Sequence, residues 1–169
     1  MKKIKFIILY LLFFVFVVSA KKSISDISTI LVIIEEREND VILTDETPVA
    51  EGIFETLWEN QNIIFFDLKV DSPIKFNDNN LDAKPFIEDA KNSGADSILL
   101  IKIEYIIEQK KDGNTLKVKE YYYNLYSIDD LESLKIGKNP LNINKKIDVR
   151  EKKEILKQIG IQIINEVYK

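Results

Sequence analysis

Apolar and polar positions along the chain follow two periods that predict strands and helices in turn. Residues 29–34 are a continuous run of β-branched and apolar residues, which is typical of a buried strand, and residues 63–70 are predicted to form a second strand. Between them, Thr47 and Pro48 form a helix start, since threonine can cap a helix and proline suits its first position. The apolar residues that follow return every three to four positions and include Val49, Ile53, Phe54, Leu57 and Trp58.

The second half of the chain continues the alternation. A loop rich in Asp, Asn and Pro at residues 71–80 leads into a predicted helix, which Gly94 ends because glycine tolerates the left-handed conformation. Asp112 and Gly113 mark the tip of a hairpin. The order β-α-β-α-β-β-β-α predicts an α/β (α+β) fold, with helices packed on a mixed β-sheet. The remaining elements are a helix over 82–92, strands over 97–108 and 115–126, a weaker strand within 134–149, and a helix over 150–168.

The same periodicity predicts which side chains lie inside. The charged run after the first strand, which includes Glu35, Glu36, Glu38 and Asp40, is interpreted as part of a solvent-facing connection. Within it, residues 41–43 form either a short extra strand or an apolar lid. We expect one core between the sheet and its helices, formed by Ile30, Val32, Ile53, Leu57, Phe86, Ile98, Leu100, Ile159 and Ile163.

Residues 1–20 have the three parts of a cleavable signal peptide. Three lysines within the first five residues precede an unbroken apolar run over 6–18, and small residues follow. The alternative is a retained anchor, but a spanning helix needs roughly 20 apolar residues. We expect cleavage between Ala20 and Lys21. This would leave a flexible segment, residues 21–28, and a single domain, residues 29–169, in the periplasm or outside the cell.

Composition narrows the classes of function. The first 20 residues carry three of the 24 basic residues and none of the 28 acidic ones, so cleavage changes the net charge from −4 to −7. This acidic balance argues against nucleic acid as a partner. The chain has no histidine, the commonest general base and metal ligand. It has no cysteine either, and therefore lacks the residue through which bacterial lipoproteins are acylated, so we expect no lipid anchor.

The sequence offers no recognisable catalytic constellation or cofactor motif. The metal-like spacing of Asp78, Asn80, Asp82 and Asp89 lacks the glycine that a calcium loop needs at its sixth position, where Ala83 stands. A solvated turn that caps a helix is the favoured interpretation. Phosphate-binding loops, nucleophile elbows and cysteine nucleophiles are absent from the sequence. We therefore predict no catalytic residues, no metal and no cofactor.

Tyrosines in the strand over 115–126 are candidates for partner binding. Alternation along a strand places Tyr122 and Tyr126 on one face of the sheet, and Tyr121 and Tyr123 on the other. One of these pairs is expected in the core. Exposed aromatic side chains favour protein interfaces. We assign Tyr121 and Tyr123 to the exposed face as the partner-binding residues.

Residues 82–105 resemble an element of bacterial envelope proteins. A helix that ends in Gly-Ala-Asp at residues 94–96 runs at once into an apolar strand, and a hairpin, a second strand and a closing helix follow. This order is similar to the N-terminal domain of the TolB translocation protein, the curli-secretion lipoprotein and the lipoprotein activator of penicillin-binding proteins. The chain departs from that pattern by lacking the acylated cysteine. It also has Asp-Leu-Glu at residues 130–132, where that family often has Thr-Gly.

The resemblance implies an envelope module that works by binding another protein. Together with the export signal and the missing catalytic residue types, it favours a non-enzymatic role in envelope assembly or transport. The alternative is a carboxylate-based hydrolase or a periplasmic protein that binds a small ligand. A pocket lined by two or more acidic side chains would favour that alternative, and an open sheet face or edge would favour the binding module.

Overall fold

The structure is a computed structural model that describes residues 23–44, 46–67, 73–77, 79–111 and 113–169. The predicted signal peptide and its cleavage position between Ala20 and Lys21 lie outside these residues. No helix among the described residues is long and apolar enough to cross a membrane.

The described part of the chain forms eight strands and three α-helices. The predicted order β-α-β-α-β-β-β-α is confirmed. Residues 41–42 form the short extra strand β2, one of the two alternatives for residues 41–43, and the structure adds the β4–β5 ribbon over residues 76–81. The elements in chain order are β1 (Thr29–Glu38), β2 (Val41–Ile42), α1 (Pro48–Glu59), β3 (Ile63–Asp67), β4 (Phe76–Asn77), β5 (Asn80–Leu81), α2 (Ile87–Ser93), β6 (Ser97–Lys110), β7 (Gly113–Ser127), β8 (Glu132–Ile147) and α3 (Val149–Val167).

Six strands form one mixed sheet with β1 in its interior. Strand β1 runs parallel to β3 on one side and to β6 on the other, and β2 pairs antiparallel with the end of β1. From β6 the sheet continues as an antiparallel meander through β7 to β8. Strands β4 and β5 form a separate two-stranded ribbon. The meander therefore ends at β8, one outer edge of the sheet.

The sheet is covered on both faces, so it has two cores rather than the single core that the sequence predicts. Helices α1 and α3 pack on one face, here called the helical face, and α2 and the β4–β5 ribbon pack on the other, the ribbon face. Ile30 lies on the helical face and Leu31 on the ribbon face. Because Leu31 pairs with Ile98, the side chains of Ile98 and Leu100 point to the ribbon face, together with Phe86. The other predicted core residues, Ile30, Val32, Ile53, Leu57, Ile159 and Ile163, share the core on the helical face.

Local sequence signals set the ends of the helices. The Thr47 hydroxyl accepts a hydrogen bond from the amide of Ala50 at 3.2 Å, so threonine caps α1 just before its first-turn proline. Gly94 ends α2 with φ = 78°. At the start of α3, Asp148 and Glu151 exchange side-chain to backbone hydrogen bonds in a capping box. These three boundaries follow from the sequence.

The segment before β1 is tied to the domain over its described part. Residues Ile24–Asp26 form a 3₁₀ turn, and Ile27 is buried in the core of the helical face. The carboxylate of Asp96, at the entry to β6, accepts hydrogen bonds from the amides of Ser28 and Thr29. This segment therefore packs against the end of the sheet at which β1 and β6 begin.

Candidate functional site

Two consecutive carboxylates, Glu35 and Glu36, are buried inside the sheet. Their prediction as part of a solvent-facing connection is wrong, because β1 continues through them to Glu38. Glu35 is 0% exposed and Glu36 is 1% exposed. Neighbouring residues of a strand point to opposite faces, so one carboxylate enters each side of the sheet and needs its own hydrogen-bond donors there.

Glu35 holds the segment before the ribbon against the ribbon face. Its carboxylate accepts hydrogen bonds from Arg37 Nε at 2.6 Å, from Lys102 Nζ at 2.9 Å and from the backbone amide of Ile74. Burial raises the pKa of Glu35, but the hydrogen bonds from Lys102, Arg37 and Ile74 outweigh it and hold the pKa below its usual value. The ionised carboxylate thereby fixes the approach to β4, two residues before Phe76.

Glu36 holds the start of α1 against the helical face. Its two oxygens accept hydrogen bonds from the Thr47 hydroxyl and, at 2.8 Å, from the Tyr105 hydroxyl. Burial raises the pKa of Glu36, and these two hydrogen bonds only partly oppose it. Burial and the adjacent Glu36 also raise the pKa of Tyr105, which keeps its hydroxyl a donor. All four oxygens of Glu35 and Glu36 accept from groups of the chain itself, which favours a structural role over general-base chemistry.

Beyond the end of the ribbon, the ribbon face of the meander is open and contains a depression of about 430 Å³. Its floor is the β6–β7 hairpin, and Phe76 of β4 forms one wall. Phe76 is 46% exposed and Ile106 is 45% exposed, while Tyr122 is half-buried. The lining consists of Asp40, Phe76, Lys102, Glu104, Tyr105, Ile106, Lys117, Lys119, Glu120 and Tyr122.

The aromatic side chains of the depression are held in a fixed arrangement. The rings of Phe76 and Tyr122 meet edge to face, with centroids 5.0 Å apart and planes at 77°. Lys102 Nζ lies 5.6 Å from the Phe76 ring, and Lys138 Nζ lies 5.0 Å from the Tyr122 ring. The Tyr122 hydroxyl donates to Glu120, which also pairs with Lys138 at 3.0 Å. Hydrogen bonds from Tyr122 and Lys138 hold the pKa of Glu120 below its usual value.

The charges around the depression balance. Three lysines and three carboxylates lie in its lining. Lys102 is paired with Glu35, and Lys117 is paired with Glu108. The rim is therefore polar but carries little net charge. The exposed apolar side chains of Phe76 and Ile106 are then the main surface that the depression offers for binding.

Tyr121 and Tyr123 are not on an exposed face. Tyr121 is 0% exposed and Tyr123 is 4% exposed, and both belong to the core of the helical face. The predicted alternation is correct, since Tyr122 and Tyr126 lie on the ribbon face, but the predicted exposure is wrong because α3 covers the other face. Partner binding by Tyr121 and Tyr123 stays a prediction without the exposure that motivated it. The closing helix was the available signal, since its apolar stripe must cover one face of the meander.

The calcium-like spacing is spread over different elements. Asp78 lies outside the described residues, Asn80 lies in β5, and Asp89 lies in α2. The carboxylate of Asp82 accepts a hydrogen bond from the amide of Lys84 at 3.1 Å, in the turn that leads into α2. Within the described ranges, no group of three or more acidic side chains is placed to hold a metal ion.

Comparison with known proteins shows similarity in fold. No protein-family model matches the chain, and no curated protein matches its sequence. A variant of PelC from Paraburkholderia phytofirmans, solved as a dodecamer, is 11% identical, with a TM-score of 0.53 over 86% of this chain and 92% of that chain. The likeness shows a shared fold.

Two further structures are more distant. Lipoprotein GNA1162 from Neisseria meningitidis is 16% identical, with a TM-score of 0.46 over 83% of this chain and 97% of that chain. The C-terminal domain of LpoB from Salmonella enterica is 16% identical, with a TM-score of 0.42 over 73% of this chain and 87% of that chain. Structures that resemble this chain thus include a bacterial lipoprotein, but at TM-scores below 0.5 these two likenesses carry no argument about function.

Proposed function

We propose that this chain is an exported, non-enzymatic domain of the bacterial cell envelope that binds a protein partner through the depression on the ribbon face. The observation that carries the proposal is the exposed apolar surface of Phe76 and Ile106 around Tyr122. The N-terminal export pattern supports the location. The use of both buried glutamates as structural anchors supports a role without catalysis.

The depression has the properties of an interface centre. Aromatic side chains that fill or line pockets contribute most of the binding energy in many protein interfaces. Glu35 fixes the segment before the ribbon through the backbone amide of Ile74, two residues before Phe76. The Phe76 ring, which also packs against Tyr122, is therefore held in position without a partner. Such preorganisation reduces the entropy lost on binding. Because the charges at the rim balance, the rim can contact polar groups of a partner without requiring that the partner carry a net opposite charge.

Two kinds of occupant need to be separated. A protein partner fits the open sheet face. A small ligand is the second candidate, because a depression of about 430 Å³ has the size of a small-molecule pocket. Three acidic side chains, Asp40, Glu104 and Glu120, also line it, which is the feature expected of the hydrolase or ligand-binding alternative. PelC, which shares the fold, forms a dodecamer, so a second copy of this chain is one protein partner to test.

The test is crosslinking in cells, followed by mass spectrometry and binding measurements with the partner that is identified. Phe76→Ala should weaken binding by roughly 30-fold, since an aromatic anchor contributes about 2 kcal/mol or more. Ile106→Ser should also weaken it. Trp58→Ala is the matched control, because Trp58 is 77% exposed on α1, on the opposite face of the sheet. The melting temperature of each variant should stay near that of the original chain.

Three results would change the assignment. Equal loss of binding in Trp58→Ala and Phe76→Ala would place the interface outside the depression. A small molecule that co-purifies with the original chain, and is lost only in Phe76→Ala, would favour the ligand-binding alternative. Crosslinks between copies of the chain that Phe76→Ala removes would identify the partner as a second copy.

A further inference from the structure

Strands β1, β3 and β6 begin at one end of the sheet, and residues 23–28 enter the fold at that end. The side-chain amide of Asn62 donates to the carbonyl oxygen of Ile27 at 3.1 Å. The backbone amide of Ile63 donates to the carbonyl oxygen of Ser28 at 2.7 Å. The turn between α1 and β3 is therefore bonded directly to the segment that follows residue 22.

Three large apolar side chains are exposed at this end. Trp58, in the last turn of α1, is 77% exposed, and Ile63, the first residue of β3, is 59% exposed. Leu131 is 56% exposed in the turn from β7 to β8, which the pairing of Ser127 with Ser97 places at the same end. Trp58, Ile63 and Leu131 are here called the apolar end. Tryptophan is enriched where proteins meet the surface of a bilayer, because its ring is apolar and its N–H is polar.

The apolar run over residues 6–18 indicates which surface the apolar end meets. The run ends five positions before Ser23. An extended chain covers at most about 3.6 Å per residue, so Val18 and Ser23 lie within about 18 Å of each other. If the run stays in a bilayer, the apolar end is therefore held beside the headgroups. The shortness of the run favours cleavage, whereas an exposed tryptophan at the point where the run joins the domain favours retention.

The charges near the apolar end indicate a bilayer of zwitterionic lipid. Glu59 follows Trp58 directly, and Asp130 and Glu132 flank Leu131. These carboxylates oppose the approach of a strongly anionic surface. Phosphatidylcholine and phosphatidylethanolamine carry no net charge, and their phosphate groups still suit the two lysines at positions 21 and 22. Burial of the apolar side chains is then the main attraction.

We propose that residues 1–20 are retained and that the apolar end docks on the bilayer that holds residues 6–18. Trp58 and Ile63 enter the headgroup region. The depression on the ribbon face lies toward the opposite end of the sheet, beside Asp40 and the β6–β7 hairpin, and stays open to a protein partner. The apolar end meets lipid and not that partner, so Trp58→Ala remains a control for partner binding in solution without lipid.

The experiment uses the fluorescence of Trp58, the only tryptophan of the chain. The full chain is reconstituted into vesicles of phosphatidylcholine and phosphatidylethanolamine. Lipids brominated on the acyl chain should quench the emission, and iodide in the surrounding water should quench it only weakly. Ile63→Asp should reduce the quenching by brominated lipid. Val149→Asp is the matched control and should leave it unchanged, because Val149 is 84% exposed at the start of α3, whose other end reaches Asn62 through Tyr168.

Circular dichroism of both variants checks that the domain stays folded. Quenching by iodide but not by brominated lipid would show that the domain is tethered without docking. Protection from both quenchers would show that protein covers Trp58, whether residues 6–18 or a second copy of the chain. Either result overturns the proposal, and so does a chain isolated from cells that begins at Lys21.

Discussion

The ring of Tyr123 lies over Gly137, its partner across the β7–β8 pair. A methyl group at position 137 would overlap the ring and would lie 2.6 Å from the tyrosine hydroxyl oxygen. Glycine ordinarily weakens a strand because it has no side chain to pack. Here the missing side chain makes room for an aromatic ring that is 4% exposed. The glycine and the burial of Tyr123 therefore depend on each other.

Gly137→Ala should destabilise the domain by about 1–3 kcal/mol, the usual effect of overpacking a core. Chemical denaturation with a tyrosine or far-ultraviolet signal measures the change. Asn144→Ala, at an exposed position of β8, is the control and should have little effect. Adding Tyr123→Leu to Gly137→Ala should cost less than the sum of the two single changes, since the smaller side chain leaves room for the methyl group. Additive losses would contradict the packing explanation.

Helices α1 and α3 touch at two glycines on the helical face. A methyl group at Gly52 would overlap the carbonyl oxygen of Lys157, and one at Gly160 would overlap the carbonyl oxygen of Val49. Both obstacles are backbone atoms of the facing helix, which cannot rotate away. The two glycines therefore allow the helix backbones to approach closely.

Gly52→Ala and Gly160→Ala should each lower the free energy of unfolding. The sign of the change is the test, because glycine to alanine inside a helix normally stabilises by roughly 0.5–1 kcal/mol. A loss of about 1–3 kcal/mol, measured by thermal or chemical denaturation, would show that the close approach outweighs helix propensity. Stabilisation of either variant would mean that the helices can separate without cost.

Much of the fold could be predicted from local sequence signals. Thr47-Pro48 and Gly94 mark helix boundaries, and the apolar periods give the order of strands and helices. The continuous apolar run over 29–34 is also the pattern of a strand that is buried on both faces, so a sheet with two covered faces was within the reach of the sequence. Which residues of other strands share each core depends on the register, such as the pairing of Leu31 with Ile98, and the sequence does not give that register.

The site was harder to predict because it depends on contacts between distant parts of the chain. Glu35 and Glu36 have the composition of a solvated connection. Apart from Arg37, the donors to their carboxylates lie in other elements: they are 39, 67 and 69 positions away along the chain or belong to the α1 cap. The sequence predicts that the meander presents an exposed face, and the floor of the depression is such a face. The prediction falls on the opposite face because a tyrosine run has no property that distinguishes its covered side from its open one.

Glu35 and Glu36 should give the stability of the domain opposite dependences on pH. The pKa of Glu35 is lowered in the folded chain from its ordinary value of 4.5. Its contribution to stability is therefore complete above pH 4.5 and is lost as the pH falls through the lower, folded-state pKa. The pKa of Glu36 is raised from the same value, so its contribution is complete below pH 4.5 and is lost as the pH rises through the higher, folded-state pKa.

Denaturation curves of the original chain, Glu35→Gln and Glu36→Gln over about pH 3 to 8 measure this difference. Glu35→Gln should be the more damaging change at neutral pH, by about 3–5 kcal/mol, because it leaves Lys102 and Arg37 without their buried counter-charge. The difference in the free energy of unfolding between Glu35→Gln and the original chain should become smaller below pH 4.5. As the pH rises above 4.5, the free energy of unfolding of Glu36→Gln should increase relative to that of the original chain, because the amide resembles the protonated acid and never ionises. Parallel curves for Glu36→Gln and the original chain above pH 4.5 would show that Glu36 is not held protonated by its burial.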